Sequence, residues 1–395
     1  MRAKSPKARK CPVCSEPMRK HGKTSAGKQR WRCAACNLTS TFEREDITRN
    51  ADFEVFLAYV LGKNSQAQVD GTATGRTFRR RVKWCWEVPV PKPSATGEIY
   101  EQLFLDGKRM PYGWVLLTVV NEAGRVVAWQ WASGETAAAY ESLLQHLAPP
   151  RVVTVDGASG GLKAINKLWK EDGTRVQRCL LHVHRNNTGD LTKRPKTEAG
   201  KELKSLSKAL LRITTPKEAS AWEQALQDFH NRYEAYLKER TYARDDPETA
   251  RIKNRSWWYT HGRDRRVYLR LARLVRQGTL FTYLTANPNG EILHSTTNVV
   301  ESLNALIDEL LRLHRGLSES HMIQAIQWLL HQRTENQLTP KQVLKNWVQN
   351  GKPKAWVIPQ KPRSPQRIGP KQYDNKTTAQ EGLYARKGWG GRWKP

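Results

Sequence analysis

The stretch Leu103-Phe104-Leu105-Asp106-Gly107 constrains this chain most: it is an apolar run with the character of a buried strand, and it ends in a carboxylate. A core strand has little reason to end on an acid unless the acid is used. Residues 112–120 form a second apolar, β-branched run, Asn121-Glu122-Ala123-Gly124 carries turn chemistry, and residues 125–132 form a third run. Together they predict a three-strand antiparallel meander. Residues 135–147 then show helical spacing at Ala139, Leu143, Leu144 and Leu147, behind a Ser133-Gly134 cap region and ahead of Pro149-Pro150, which stops the helix. Residues 151–155 read as a fourth strand, again followed by Asp-Gly at Asp156-Gly157.

Strand, strand, strand, helix, strand is the order of a ribonuclease H-like α/β core, in which the first and fourth strands are neighbours at the sheet centre. Asp106 and Asp156 would then lie side by side. Two carboxylates at that separation repel unless cations lie between them, which suits a hard, oxygen-seeking ion such as Mg²⁺ or Mn²⁺. A two-metal phosphoryl-transfer site needs one more acid, and Glu301 is the best placed. Thr296 or Thr297 can cap its helix, Val299, Val300, Leu303, Leu306, Ile307 and Leu310 form a buried face, and Asn298, Glu301, Asn304 and Asp308 fall on a polar one. A single Asp-Gly is ordinary turn chemistry, so the ordered set carries the reading.

That set continues with Cys179-Leu-Leu-His182, a long helical interruption, Thr297-Asn298-x-x-Glu301-x-x-Asn304, and His314-Arg315-Gly316-Leu317-Ser318 downstream. Over residues 103–336 it resembles the mutator-type (MULE-like) DDE transposase superfamily, in its bacterial insertion-sequence members. The resemblance implies a DNA transposase in which Asp106, Asp156 and Glu301 hold catalytic Mg²⁺. Such an enzyme cuts transposon ends and joins the freed 3′-hydroxyl to target DNA by transesterification. Its partners would be double-stranded DNA, both terminal inverted repeats and target, and a second copy of the chain, since two ends must be joined together. Cys179, His182 and Asn298 would support the site. A ribonuclease H-like nuclease or resolvase without strand transfer, and a non-catalytic DNA-binding descendant of a transposase, are the other readings.

The chain is built to meet a polyanion: 395 residues carry a formal net charge of +30, while 38% apolar content and 15 Trp still allow sizeable cores. No apolar run approaches the length of a membrane span, and the N-terminus lacks a signal-peptide core, so a cytoplasmic, nucleoid-associated protein is expected. Residues 1–50 hold Cys11, Cys14, Cys33 and Cys36 in a C-x2-C-x18-C-x2-C pattern that fits a zinc ribbon. Two disulfides are the alternative, disfavoured in a reducing compartment. Residues 51–90 read as a helix-turn-helix DNA-binding unit whose last helix, 75–86, buries Phe78, Val82 and Cys85 and offers Arg76, Arg79, Arg80 and Lys83 to DNA. The Pro-rich stretch beginning at Val88, Val88-Pro-Val-Pro-Lys-Pro-Ser, reads as a semi-rigid linker.

Residues 98–184 and 294–350 make the two parts of the core with its C-terminal helices, and 185–293 an all-α insertion. Residues 176–183 read as a fifth strand whose alternation sends Cys179 and His182 to opposite faces, favouring a supporting role over a metal site. Inside the insertion, Trp257 and Trp258 stand among Arg255, Arg263, Arg265 and Arg266. They read equally as a DNA-stacking surface or as core of the insert. Residues 351–395 are rich in Lys, Arg, Gly and Pro, with Asp374 and Glu381 the only acids, and read as a basic arm along phosphates. The expected whole is a multidomain α+β protein: zinc ribbon, helix-turn-helix, and an interrupted ribonuclease H-like core.

Overall fold

The computed structural model describes residues 9–11, 14, 16–41, 45–70, 75–94, 96–284 and 293–355. The basic arm lies outside them from residue 356 onward. The N-terminal strands β1 (Met18–Lys23), β2 (Gln29–Cys33) and β3 (Thr39–Ser40) form an antiparallel sheet in that order. Among the described residues its apolar cluster is Cys11, Met18 and Cys33, with Trp31 and Leu38 against it. So small a core cannot hold a fold without a staple.

Three helices follow: α1 (Glu45–Val60), α2 (Gln66–Asp70) and α3 (Arg76–Val82). The helix expected over 75–86 is α-helical only to Val82 and tightens into a 3₁₀ turn over Lys83–Glu87. Phe78, Val82 and Cys85 are buried as the pattern requires.

The central mixed sheet is built from β4 (Gln102–Arg109), β5 (Val115–Asn121), β6 (Val126–Ala132), β7 (Val152–Val155) and β8 (Arg175–Arg178), in the order β6-β5-β4-β7-β8. The first three strands pair antiparallel, and β4–β7 and β7–β8 pair parallel. Helices α4 (Ala137–Leu144) and α5 (Ser159–Leu168) cover one face: Leu103, Leu105, Leu117, Val119, Val153 and Val155 pack there with Tyr140, Leu144 and Ile165. Strand alternation turns Phe104 and Asp106 to the other face.

The fifth strand is shorter than the sequence pattern indicated. Cys179 N–H donates to Val155 O as the ladder ends, and the chain then turns into α6 (Leu180–Leu191). The apolar residues Leu180 and Val183, which looked like strand, instead face the core of the insertion. That insertion continues with α7 (Glu198–Ala209), α8 (Pro216–Lys238), β9 (Arg240–Tyr242), α9 (Pro247–Lys253), β10 (Trp257–Tyr259) and α10 (Gly262–Arg276). Thr215 and Glu218 form a reciprocal capping box with Pro216 at the first position of α8, the pairing that satisfies the free N–H groups of a helix start. Leu203, Leu206, Trp222, Leu226, Phe229, Val267 and Leu271 fill its core.

The chain returns through His294 to α11 (Asn298–Leu313), α12 (Glu319–Gln332) and α13 (Pro340–Gln349). Buried Gln102 on β4 fixes this return: its amide nitrogen donates to Thr154 Oγ1 and to His294 O, both at 2.7 Å, and its oxygen accepts from His294 N–H at 2.8 Å.

The N-terminal helices are not a detached module. Phe53 meets Trp328 edge-on at 5.4 Å, Trp84 stacks on Trp347 at 5.8 Å, and Trp86 stacks on His321 at 4.0 Å. Val88, read as the start of a linker, is buried and accepts a hydrogen bond from Gln324 at 2.7 Å. Among the described residues no helix is long and apolar enough to cross a membrane.

Because Phe53 is fully buried between α1 and α12, Phe53→Ala should cost about 3–5 kcal/mol. Urea unfolding should show the loss in one transition that includes the central sheet. A loss confined to a separate, earlier transition would mean that α1–α3 fold on their own.

Candidate functional site

Parallel pairing of Leu105 with Val155 makes Asp106 and Asp156 the next neighbours; Asp156 follows the end of β7, whereas Asp106 lies inside β4, which does not end at the acid as expected but runs on to Arg109. Burial pushes Asp106 above the usual carboxylate value; Asp156 adds to the rise, and Asn304 and His182 oppose it. Asn304 on α11 donates to Asp106 Oδ2 at 2.6 Å, while its own Oδ1 is buried without a hydrogen-bond donor. Asp156 accepts from Ala158 N–H at 2.8 Å. Behind it, Arg178 donates to the Asp156 carbonyl at 2.9 Å. Burial lowers the pKa of this guanidinium and Asp156 opposes that.

Glu301, the third acid of the sequence reading, is on α11 one turn before Asn304, but its carboxylate is taken by Arg185 at 2.7 and 3.4 Å. Asp308, further along the same face, pairs with Lys108 at 2.9 Å. Asp106, Asp156 and Glu301 therefore do not close into one ligand set.

The supporting residues sit differently from expectation. With the chain helical after Cys179, residues three apart share a face, so Cys179 and His182 converge instead of diverging. Thr297 joins them: its N–H and hydroxyl donate to Cys179 Sγ at 3.3 Å, and its hydroxyl lies 3.4 Å from His182 Nδ1. Thr297 is thus the N-cap residue of α11 without capping it through its side chain. Burial disfavours the Cys179 thiolate, but hydrogen bonds from His182 and Thr297 outweigh this and lower its pKa. His182 is raised by its hydrogen bond with Cys179, and further by Asp156 and Asp106. Asn298, about 100° around the helix from Thr297, is exposed.

Two residues escaped the sequence reading. Glu135, just before the Thr136 cap of α4, has its carboxyl raised by burial and by the charges of Asp156 and Asp106. Tyr140 is buried beside it, and its hydroxyl is pushed up by burial and by the same acids. An acid outside a regular element leaves no periodic signal.

Cys11, Cys14, Cys33 and Cys36 are positioned to hold a metal ion: their sulfurs all lie within 4.8 Å of one another. Neighbouring sulfurs are 3.4–3.5 Å apart, whereas a disulfide needs about 2.05 Å, so the four are free thiols. Backbone N–H groups of Cys36 and Ala35 help lower Cys33, whereas Cys14, despite a backbone hydrogen bond from Glu16, is pushed up to about 12 by Cys33 and Cys36. Among the described residues this is the one group of three or more His, Cys, Asp or Glu so closely gathered.

Arg76, Arg79, Arg80 and Lys83 are exposed on the outer side of α3 and the turn after it. In the insertion, Trp257 and Trp258 lie on the β9–β10 hairpin, half-buried and outside the insert's apolar core. Arg240 covers the Trp257 ring at 4.2 Å and Lys253 covers Trp258 at 4.4 Å. Of the nearby arginines, Arg263 is exposed, Arg265 lies over Tyr259 at 3.9 Å, and Arg266 pairs with Asp190 at 2.7 Å.

No protein-family model and no curated protein matches this chain.

The turn after Asp156 depends on Gly157, whose φ is +103° and whose missing Cβ would lie 1.7 Å from an Arg178 nitrogen. Gly157→Ala should lower stability by about 1–3 kcal/mol in urea unfolding, through strain and displacement of Arg178. Unchanged stability would show that Arg178 does not pack against this turn.

Proposed function

We propose that the chain is a DNA transposase of the mutator type, with a ribonuclease H-like catalytic core made of the mixed sheet and α4, α5 and α11. The observation that carries this reading is the parallel β4–β7 pairing, which sets Asp106 within β4 next to Asp156 just past β7, with Asn304 of α11 donating to Asp106. The strand order supports it: a meander whose first strand is flanked by the fourth.

The donor set fits a hard divalent cation. Asp106 and Asp156 offer carboxylate oxygens, and Asn304, which donates to Asp106, keeps its Oδ1 buried without a donor. Mg²⁺ or Mn²⁺ bound there would activate water or a 3′-hydroxyl and neutralise charge on the departing oxygen of a phosphodiester. The protein's own part is to fix the acids. Asn304 orients Asp106 by its amide N–H, Ala158 N–H orients Asp156, and Arg178 supports the strand end from behind. Arg185 holds Glu301 aside, and a DNA phosphate competing for that exposed guanidinium would release it.

The outlying parts suit DNA. Exposed Arg76, Arg79, Arg80 and Lys83 would meet backbone phosphates. Trp257 and Trp258, each covered by a cation, would stack on bases unpaired beside the cut, worth about 1–3 kcal/mol per base. Arg263 would hold an adjoining phosphate, with Arg265 and Arg266 following once their present partners give way. The four-cysteine cluster would hold Zn²⁺: its sulfur spacing is close to the edge of about 3.8 Å that a tetrahedron of 2.3 Å bonds requires. The assembly acting on two transposon ends would be a dimer or larger.

The decisive substrate is the DNA flanking the coding sequence. Purified protein with Mg²⁺ should nick terminal repeats there and join the new 3′ ends to a target; cutting without joining would leave a nuclease. Asp106→Asn or Asp156→Asn should abolish cleavage while DNA binding stays unchanged in a mobility-shift assay, since these groups hold cations and not DNA. Glu301→Gln should do the same if phosphate frees it from Arg185, and cleavage surviving in any of the three removes that residue from the set.

For the ribbon, elemental analysis should find one Zn²⁺ per chain, lost in Cys33→Ser with the central sheet still folded by circular dichroism. Zinc-free purified protein would reject the assignment.

A further inference from the structure

The small sheet of the insertion has two unlike faces. Pairing sets Trp257 opposite Tyr242 and Tyr259 opposite Arg240, whereas Trp258 lies opposite Thr241. Alternation therefore puts Tyr242, Trp257, Tyr259 and Arg240 on one face and leaves Trp258 on the reverse, under Lys253. None of the three rings on the first face belongs to the apolar core of the insertion, and Tyr242 and Arg240 are exposed. Aromatic surface gathered outside a core marks a place where something docks.

Each of these rings is met by an arginine. Arg240 lies over Trp257 at 4.2 Å and over Tyr259 at 5.9 Å, Arg265 over Tyr259 at 3.9 Å, and Arg244 over Tyr242 at 5.4 Å. Among the described residues, Asp245 beside Arg244 is the one acid paired with these three guanidiniums. A cation over a solvated ring contributes about 0.5–1 kcal/mol, which is too little to keep it there against a phosphate, with which a guanidinium makes two-pronged, charge-assisted hydrogen bonds. Trp257 and Tyr259 stand at 88° with centroids 5.2 Å apart, so a flat group laid on one ring meets the edge of the other. Arg240 now fills that corner with a planar guanidinium. A nucleobase is equally flat, and the phosphate beside it carries the charge that draws Arg240 away. Bases inside a duplex are stacked on one another and offer no free ring face, so the match is to a single strand.

We propose that this face of the β9–β10 pair is a track for single-stranded DNA, in which Arg240, Arg244 and Arg265 turn to phosphates and Tyr242, Trp257 and Tyr259 take bases in their place. The proposal rests on the transposase reading only for the source of the strand, an end unpaired beside the cut; the binding itself needs neither aspartate nor metal. Trp258, on the reverse face, cannot join a strand lying on the first.

The basic N-terminal and C-terminal parts of the chain also attract DNA, so the test must report position as well as affinity. Full-length, zinc-loaded protein is irradiated with a single-stranded oligodeoxynucleotide carrying iodouracil, and the adducts are mapped by peptide mass spectrometry. Adducts should fall on Tyr242, Trp257 or Tyr259; adducts confined to other parts of the chain overturn the proposal. In binding titrations Tyr242→Ala and Arg240→Gln should each weaken the single strand by about fivefold or more and leave a blunt duplex of the same length unchanged. Equal losses on both substrates, or parent-like binding of the single strand, overturn it. If Tyr242→Ala lowers the melting temperature, Tyr242→Leu, which keeps bulk without a ring face, decides in its place by the same criteria. Tighter binding of RNA of the same sequence overturns the assignment to DNA. A protein that cuts no transposon end yet shows these adducts and losses keeps the track and loses the transposase reading, whereas end cleavage with parent-like strand binding in both variants overturns the track alone.

Discussion

Much of this molecule depends on one buried amide. Gln102 is fully buried at the start of β4 and spends its donors and its acceptor on Thr154 of β7 and on the backbone of His294. An amide buried without partners would cost several kcal/mol, so a fully satisfied one specifies a single arrangement. It sets the parallel register of the two strands that carry the aspartates. It also ties the end of the insertion to the sheet just before α11. Gln177 on β8 does the equivalent at the edge, donating to Leu280 O and accepting from Tyr283 N–H. Two glutamines therefore hold both the register and the return of a chain that has left the core for some 110 residues.

Neither glutamine could be read in advance, because a Gln inside an apolar run gives no hint of a partner nearly 200 residues away. What was legible is what periodicity encodes. The strands at 102–109, 115–121, 126–132 and 152–155 are marked by apolar runs separated by turn residues, as buried strands are, although the first runs on past Asp106, where the apolar run stops. The helix over 340–349 and the start of α8 follow from Thr-Pro capping. The failure at 176–183 has a physical cause: a short apolar run fits a buried strand and a buried helix equally. Only the exit of the chain from the sheet at Cys179 decides. The error moved Cys179 and His182 apart, where the helix brings both onto Thr297.

The aromatic joint between α1–α3 and α12–α13 was illegible for a related reason. Nothing local marks Phe53, Trp84 and Trp86 as a joint, because their partners Trp328, Trp347 and His321 are so distant in sequence. Ring-on-ring contacts of this kind contribute about 0.5–1.5 kcal/mol each beyond the area they bury. The exposed arginines of α3 are thereby carried on a unit packed against α12 and α13.

The acids illustrate a different compromise. A carboxyl whose folded-state pKa is raised favours folding only while protonated. Asp106 and Glu135 are both raised, by burial first, so ionising them near neutral pH works against the fold, and that penalty is lifted as pH falls through their raised values. A chain with a net charge of +30 has ample lysine and arginine to neutralise these groups. Arg109 offsets the rise of Glu135 only in part, while Arg185 takes Glu301 and Lys108 takes Asp308. Local conflict of this kind is thus kept where counter-charges are abundant. Arg178, which reaches the Asp156 carbonyl, and the amide of Asn304, which donates to Asp106, are what the fold sets against these acids.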